Sequence, residues 1–311
     1  MTERRRRLLG FVGVVLFAIG LCGYAALHWY IQHEEAAKIS VEQRIIAPIP
    51  VLNDPNATSA SISASAALVL DLESGSTLFE KGANARYAPA STTKLLTALV
   101  VRQHFPLDEV ITIPRRVWSS GGSLGLVAGR EYTVHSLLKA MLITSANDVA
   151  ELFSVSYPGG EVAFIEEMNR VANNSGLSDS AFSNPAGFDI GDQYSTARDL
   201  ARLSRLVWQD VVIREILGTK EAAITDVSGF NTANLVSTHQ LLLKDDAVLG
   251  GKTGTTERAG EVLITMYQKN DRPIVIVVLG SLNRYADTSI LTEWIYQNYT
   301  WHEPIPPHSQ R

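Results

Sequence analysis

Apolar residues along this chain fall into short runs whose spacing changes from strand-like to helix-like and back again. Runs at 66–71 and 77–80 flank the turn-forming stretch Glu73-Ser74-Gly75-Ser76, which predicts a β-hairpin. Further helical and strand-like runs follow, and their order gives the fold class. The predicted helices lie at 92–104, 134–143, 148–153, 162–175, 195–208 and 212–216, and are followed by strands at 247–256, 261–268 and 273–279 and a helix at 286–299.

Two strands, a helical middle, three strands and a last helix predict an α/β fold of the α+β kind. Because the strands come from both ends of the patterned region, we expect a five-stranded antiparallel sheet flanked by helices, with a helical subdomain inserted between its two parts. The folded domain is predicted to cover residues 64–299 and to be followed by a short C-terminal tail, 300–311.

The N-terminal region has a different pattern. Four arginines at residues 4–7 precede an uncharged, mostly apolar stretch at 8–31. A bilayer span needs about 20 apolar residues and the core of a cleaved signal about 7–15, so the length favours an uncleaved anchor. The arginines place residues 1–7 in the cytoplasm and the domain outside. Cleavage near Ala26 or Ala37 stays open, and residues 32–63, with three prolines and no helical period, are predicted to be a linker.

Composition excludes several classes of protein. The chain has 311 residues, of which 46% are hydrophobic and 19% charged, and a net charge of −5. This balance provides no basic surface for nucleic acid. None of the seven histidines lies in a metal-binding spacing such as His-Glu-x-x-His, and the single cysteine, Cys22, falls in the predicted span. We therefore expect neither a zinc site nor an internal disulfide.

Residues 91–94, Ser-Thr-Thr-Lys, open the predicted helix 92–104. At this spacing Ser91 and Lys94 share one helix face, so the amine can reach the hydroxyl. A serine at a helix start also has a backbone N–H without an intrahelical partner, which is free to bind an oxyanion. In a second Ser-x-x-Lys, at Ser136, Thr133 fits the N-cap and would occupy the serine N–H. We therefore predict Ser91 as the nucleophile.

Two further motifs lie in sequence contexts that are typical of a binding or catalytic site. Residues 145–147, Ser-Ala-Asn, lie between two apolar helices, which predicts a loop facing a crevice. Lys252-Thr253-Gly254 lies in a strand-like run with three glycines, and such glycines indicate a backbone that must approach another group closely.

Two other motifs are predicted to be structural. Ser281-x-Asn283 follows a strand and precedes the last helix, which indicates a turn. Residues 121–125 match the Gly-x-Ser-x-Gly nucleophile elbow, but they lack the preceding strand and the following helix that the elbow requires. We interpret them as a glycine-rich surface loop.

With these motifs the chain resembles the D-alanyl-D-alanine carboxypeptidase family of low-molecular-mass penicillin-binding proteins, which are serine peptidases. The resemblance covers residues 64–299, and Phe188 is a mild departure where leucine is usual. It implies a penicillin-binding protein/β-lactamase-like fold and a location at the bacterial cytoplasmic membrane. Its other landmarks are the segments 132–138, 182–189, 194–199 and 251–256.

The resemblance also implies a reaction. Ser91 would be acylated by the D-Ala-D-Ala end of a peptidoglycan stem peptide, D-alanine would leave, and the acyl-enzyme would be hydrolysed; β-lactams would inhibit, and no metal or organic cofactor would be needed. Ser145 would relay a proton to the leaving amine. Substrate binding is assigned to Asn147, Lys252, Thr253, Gly254 and Thr255, and the oxyanion hole to the N–H groups of Ser91 and Thr255.

Lys94 can act as the base only when its amine is neutral, because a protonated amine has no lone pair to accept a proton. The pKa of a free lysine is near 10.4, and a useful base titrates near 7–8, so the pKa of Lys94 must fall by about 3 units. Burial and the second cation, Lys252, would both lower it.

Three other functions are compatible with parts of this motif set. A D,D-endopeptidase uses the same catalytic set, and compact family members include such enzymes. A class A β-lactamase would normally carry aspartate in place of Ala146 and a Glu-x-x-Leu-Asn loop that is not found in this sequence. A non-enzymatic penicillin sensor would tend to lose Lys94, Ser145 or Lys252, and all three are present.

Overall fold

The computed structural model describes residues 47–114 and 121–303, and its main elements follow the predicted order. The strands are β1 (Ile49–Leu52), β2 (Ala66–Asp71), β3 (Thr77–Lys81), β4 (Val110–Thr112), β5 (Glu131–Thr133), β6 (Glu221–Thr225), β7 (Thr232–Val236), β8 (Val248–Thr256), β9 (Gly260–Lys269), β10 (Arg272–Ser281) and β11 (Tyr299–His302). The helices are a 3₁₀ turn (Ala90–Thr92), α1 (Thr93–His104), α2 (Val134–Ile143), α3 (Asn147–Ser156), α4 (Gly160–Asn174), α5 (Ala197–Gln209), α6 (Val211–Leu217), α7 (Gln240–Lys244) and α8 (Arg284–Asn298).

Five antiparallel strands form the central sheet in the order β3-β2-β10-β9-β8. The strands that precede and follow the helical part of the domain meet where β2 pairs with β10, so that Val69 lies opposite Ile276 and Leu68 opposite Val277. This confirms the predicted sheet. Its edge strand β8, which carries Lys252, borders the helical part of the domain and contacts the 3₁₀ turn before α1.

The alternation of side chains along the central strands divides the core in two. Leu68 and Val277 belong to the larger core, which joins the sheet to the helical part of the chain. Val69 and Ile276 belong to a smaller core on the opposite face, completed by Leu291 and Ile295 of α8. Because both faces are covered, β2 and β10 are almost continuously buried, which explains their unbroken apolar runs.

The structure differs from the predicted domain boundaries at both ends. β1 lies inside the predicted linker and pairs with β11, which extends past residue 299. Trp294 Nε1 donates to Thr58 O at 2.8 Å, and Ser63 N donates to Asp287 Oδ1 at 2.8 Å. Residues 49–63 therefore pack on the domain. Strands of four residues give too short an alternation to be recognised without their partner.

The predicted cytoplasmic tail (1–7), the anchor (8–31), the first part of the linker and residues 304–311 lie outside the described residues. In the part of the chain that is described, no helix combines the length and the apolar character needed to cross a membrane.

Candidate active site

Ser91 lies in the 3₁₀ turn that leads into α1, rather than in the first α-helical turn as predicted. Ala90 before it has a φ of +48°, a left-handed conformation that is rare for a non-glycine residue and common at functional sites. Two glycines allow other segments to approach this turn. A Cβ on Gly254 would lie 3.0 Å from Ser91 N, and a Cβ on Gly187 would lie 1.9 Å from Ala90 O. The prediction that glycine in β8 permits a close approach is confirmed.

Lys94 is fully buried beneath the serine. Its Nζ lies 2.9 Å from Ser91 Oγ and also contacts Asn147 Oδ1 and Ala186 O, each at 2.6 Å. Burial, and after it the charge of Lys252, hold the pKa of Lys94 well below its usual value. A neutral amine has two N–H groups and one lone pair. Since Asn147 and Ala186 accept the two N–H groups, the lone pair is left for the proton of Ser91.

Lys252 on β8 makes a second lysine–serine contact. Its Nζ donates to Ser145 Oγ at 2.7 Å and to Thr253 O at 3.0 Å. The side chain is buried, and burial together with the nearby charge of Arg284 lowers its pKa to about 7. Ser145 has a φ of +61°, so the loop after α2 presents its hydroxyl from a left-handed conformation. A binding anion at β8 would favour the protonated form of Lys252.

Arg284 is a site residue that the sequence analysis missed. It opens α8, and its Nη1 donates to Gly254 O at 2.9 Å and to Thr255 Oγ1 at 2.7 Å. Together with Lys252 it makes this end of β8 positive, which suits a carboxylate. Thr253 was also predicted to bind substrate, but its hydroxyl contacts another side chain: its Oγ1 lies 2.7 Å from Thr238 Oγ1. The sequence offered one signal, the turn predicted at Ser281–Asn283 immediately before this residue, but only the tertiary structure brings the arginine to Thr255.

The predicted site residues lie around a cavity of about 390 Å³. Ser91, Ser145, Asn147 and Thr255 line it, while Lys94 and Lys252 are buried beside it. The remaining lining residues are Gly121, Gly122, Thr144, Ala186, Gly187, Phe188, Thr238 and Thr256. The structure thus brings the three motifs together at one cavity.

Three motifs were predicted to be structural, and the structure agrees for two of them and adds a contact with the cavity for the third. Thr133 Oγ1 accepts from Ser136 N at 3.2 Å, which confirms the N-cap. Ser281 is buried against Asp287, and Asn283 caps α8, which confirms the turn. The loop at 121–125 is largely exposed, as expected, but it also reaches the site, because its first two glycines line the cavity.

The arrangement defines a class of protein by its chemistry. A serine whose hydroxyl faces a buried lysine of strongly lowered pKa, next to a positive strand edge, is equipped for acyl transfer from a substrate that carries a carboxylate. Comparison with known proteins agrees. The family model of peptidase S11, D-alanyl-D-alanine carboxypeptidase, matches residues 53–283, and the chain belongs to this family of serine D,D-peptidases.

Relatives of known activity include both carboxypeptidases and endopeptidases. A D-alanyl-D-alanine carboxypeptidase of Escherichia coli is 30% identical over 279 residues, which cover 85% of this chain and 68% of the relative. A carboxypeptidase of Bacillus subtilis is 29% identical, covering 77% and 64%. A D-alanyl-D-alanine endopeptidase of Escherichia coli is 30% identical, covering 80% and 83%. Identity alone does not separate the two activities.

Solved structures confirm the penicillin-binding protein fold. The D-alanyl-D-alanine carboxypeptidase of Mycobacterium tuberculosis H37Rv superposes with a TM-score of 0.74 at 25% identity, covering 83% of this chain and 97% of that one. The Streptomyces K15 DD-transpeptidase superposes with a TM-score of 0.73 at 26% identity, covering 78% and 100%.

Proposed function

We propose that the chain is a serine D-Ala-D-Ala carboxypeptidase that removes the terminal D-alanine from peptidoglycan stem peptides through an acyl-enzyme on Ser91. The observation that carries this proposal is the contact of 2.9 Å between Ser91 Oγ and the buried Lys94 amine, whose pKa is strongly lowered. Membership of the family supports the choice of substrate.

Acylation begins when Ser91 Oγ attacks the carbonyl carbon of the D-Ala-D-Ala bond and its proton passes to Lys94 Nζ. The resulting oxyanion is bound by the N–H groups of Ser91 and Thr255. When the C–N bond breaks, the leaving amine takes a proton from the hydroxyl of Ser145, which regains one through Lys252 Nζ at 2.7 Å. The proton that Lys94 took from Ser91 replaces the one that Lys252 gave up, so Lys94 is neutral again and Lys252 is charged. Water then attacks the ester while Lys94 takes one of its protons and passes it to Ser91 Oγ as the ester C–O bond breaks.

The terminal carboxylate of the substrate is placed at the positive end of β8. Lys252 and Arg284 supply the charge, and the hydroxyl of Thr255 accepts from Arg284 while it donates to Gly254 O at 2.8 Å. Asn147, already bonded to Lys94, holds the substrate amide. β-Lactams, which carry a carboxylate beside a strained amide, would acylate Ser91 in the same orientation.

D,D-Endopeptidase activity on peptidoglycan cross-links is the second candidate. It is favoured by relatives with that name in Escherichia coli and Pseudomonas aeruginosa, each 30% identical to this chain. The same catalytic residues would serve, because a cross-link also joins D-alanine to an amine next to a carboxylate.

One experiment separates these candidates. The purified protein is incubated with pentapeptide muropeptides and with cross-linked dimers, and the products are identified by mass. Release of D-alanine supports the carboxypeptidase, and conversion of dimers to monomers supports the endopeptidase. Labelling by fluorescent penicillin without any product would identify a sensor and refute both.

The nucleophile is tested in the same assay. Ser91→Ala is expected to lose product formation and penicillin labelling, because it removes the hydroxyl that lies 2.9 Å from Lys94 Nζ. Ser136→Ala is the matched control, since it alters the other Ser-x-x-Lys and should keep both activities. Persistent labelling of Ser91→Ala would contradict the assignment.

A further inference from the structure

The carboxylate of Asp148 binds the glycine-rich loop 121–126. Its Oδ2 accepts from Ser123 Oγ at 2.6 Å, from Gly125 N at 3.0 Å and from Leu126 N at 3.1 Å, and its Oδ1 accepts from Leu124 N at 2.9 Å. Asp148 is only 3% exposed and lies in the first turn of α3, where the helix dipole favours a negative charge. Val149 N of the helix also donates to Oδ1, at 3.0 Å, and the four other donors all belong to this loop.

The loop in turn contacts Asn147, the residue before Asp148. Gly122 O accepts from Asn147 N at 2.8 Å. A Cβ on Gly121 would lie 3.3 Å from Asn147 Nδ2, so the loop packs closely against the amide. Asn147 Oδ1 is bonded to Lys94, and Gly121 and Gly122 line the cavity. One helical turn therefore joins the loop to the catalytic lysine.

We propose that Asp148 is a positioning residue of this active site, whose carboxylate holds the loop 121–126 against Asn147 and so fixes the amide that contacts Lys94. The inference rests on the proposed function. It also explains the Gly-x-Ser-x-Gly sequence. Gly121 and Gly125 adopt φ values of +78° and +77°, and Ser123 supplies a hydroxyl to the carboxylate.

A carboxylate is required because every group that faces it is a donor. In Asp148→Asn one of the two oxygens becomes an NH₂ group, which cannot accept. If the NH₂ replaces Oδ2, Ser123, Gly125 and Leu126 lose their acceptor; in the other orientation Leu124 loses it. The substitution therefore releases part of the loop while preserving the size of the side chain.

The test combines hydrogen exchange with penicillin acylation in the full chain. In Asp148→Asn we expect the amides of residues 124–126 to exchange about 10- to 100-fold faster, and the rate constant for acylation of Ser91 to fall by a similar factor. The initial, non-covalent binding of penicillin should change much less, because Lys252 and Arg284 are on other elements. A purely structural role would not confine the loss to the acylation step.

Asp199→Asn is the matched control. Asp199 is 2% exposed, lies in the first turn of α5 and accepts from Asp179 N at 2.9 Å and Ser180 Oγ at 2.8 Å, so it also holds a loop. Its loop does not line the cavity as the residues at 121 and 122 do. We expect a comparable loss of thermal stability but an acylation rate within about twofold of wild type.

Ser123→Ala is the second variant if Asp148→Asn does not fold, because it removes only the two hydrogen bonds of one hydroxyl, to Asp148 Oδ2 and from Gly125 N. It should give a smaller acceleration of exchange and an acylation rate lowered by about 2- to 5-fold. Unchanged exchange at residues 124–126, a released loop with normal acylation, or an equal acylation loss in Asp199→Asn would each overturn the proposal. Because penicillin acylation needs no peptide hydrolysis, it decides this point even if the muropeptide assay refutes the proposed function.

Discussion

Lys94 and Lys252 show how the same residue type acquires two roles from its surroundings. Both amines are buried, and burial is the main cause that lowers the pKa of each. Lys94 faces Ser91, whereas Lys252 faces Ser145 and is influenced by Arg284. The mechanism requires Lys94 to be neutral while Lys252 is charged, so Lys94 must titrate at the lower pH.

At the residue scale, Lys252→Ala should lower kcat/KM on a D-Ala-D-Ala peptide by about 10- to 150-fold, since a hydrogen bond to a charged group contributes about 1.5–3 kcal/mol. Lys252→Arg should recover only part of this loss, because a planar guanidinium does not replace a compact ammonium in a tight site. The measurement is steady-state kinetics with free and amidated substrates. Amidation of the substrate's terminal carboxylate should lower kcat/KM of the wild type and have little further effect on that of Lys252→Ala. An equal decrease in both enzymes would show that Lys252 does not bind the carboxylate.

The pH dependence follows from the lowered pKa of the two lysines. As pH rises through about 7, Lys252 loses its proton in the free enzyme, so kcat/KM for a carboxylate substrate should fall on the alkaline side. As pH decreases, Lys94 gains a proton and ceases to be a base, which gives the acidic limb. In Lys252→Ala the loss of the neighbouring cation raises the pKa of Lys94, so the acidic limb should move to higher pH. A limb that stays in place or moves to lower pH would contradict the coupling.

At the scale of elements, the site depends on how closely β8 passes the 3₁₀ turn. Gly254 makes this approach compatible with an antiparallel strand, since a Cβ there would lie 2.9 Å from Ala90 Cβ and 3.0 Å from Ser91 N. The two donors of the proposed oxyanion hole, the N–H groups of Ser91 and Thr255, come from these two elements. Their spacing is therefore set by a contact between elements and not by either element alone.

Gly254→Ala should consequently reduce acylation by at least about 10-fold, because the strand must move away from the turn and the oxyanion loses part of its stabilisation. Penicillin acylation kinetics measure this directly. Gly176→Ala is a suitable control. Its φ of +75° makes alanine unfavourable, but a Cβ there meets nothing within 4 Å, so only stability should fall. Normal acylation by Gly254→Ala would show that the approach of β8 is not needed for catalysis.

At the scale of the whole molecule, the arginines at 4–7 and the apolar run 8–31 lead us to propose a single-pass membrane protein with the catalytic domain outside the cytoplasm. Protease added to intact spheroplasts should degrade the domain, while a cytoplasmic marker protein stays protected. Protection of the domain, or a mature N-terminus following Ala26 or Ala37, would contradict an anchored form with this orientation.

Much of the fold could be predicted because its signals are local. The runs that predict the β2–β3 hairpin, α2 and the three strands β8 to β10 are long and regular, and the structure contains each within a few residues. The pairs β4–β5, β6–β7 and β1–β11 were not predicted. Their strands have three to five residues, and they become strands only through the partner that the fold supplies.

The sequence by itself determined which residues could carry the chemistry, because Ser91 and Lys94 are neighbours on one turn and the glycines of β8 mark a close approach. The tertiary structure decided what those residues face. It buried both lysines, which lowers their pKa, and it brought Arg284 to Thr255 across 29 positions of sequence. It also places the loop 121–126, which the sequence predicts as a surface loop, so that Gly121 and Gly122 line the cavity. Burial and charge proximity depend on groups far apart in the chain, and no local pattern records them.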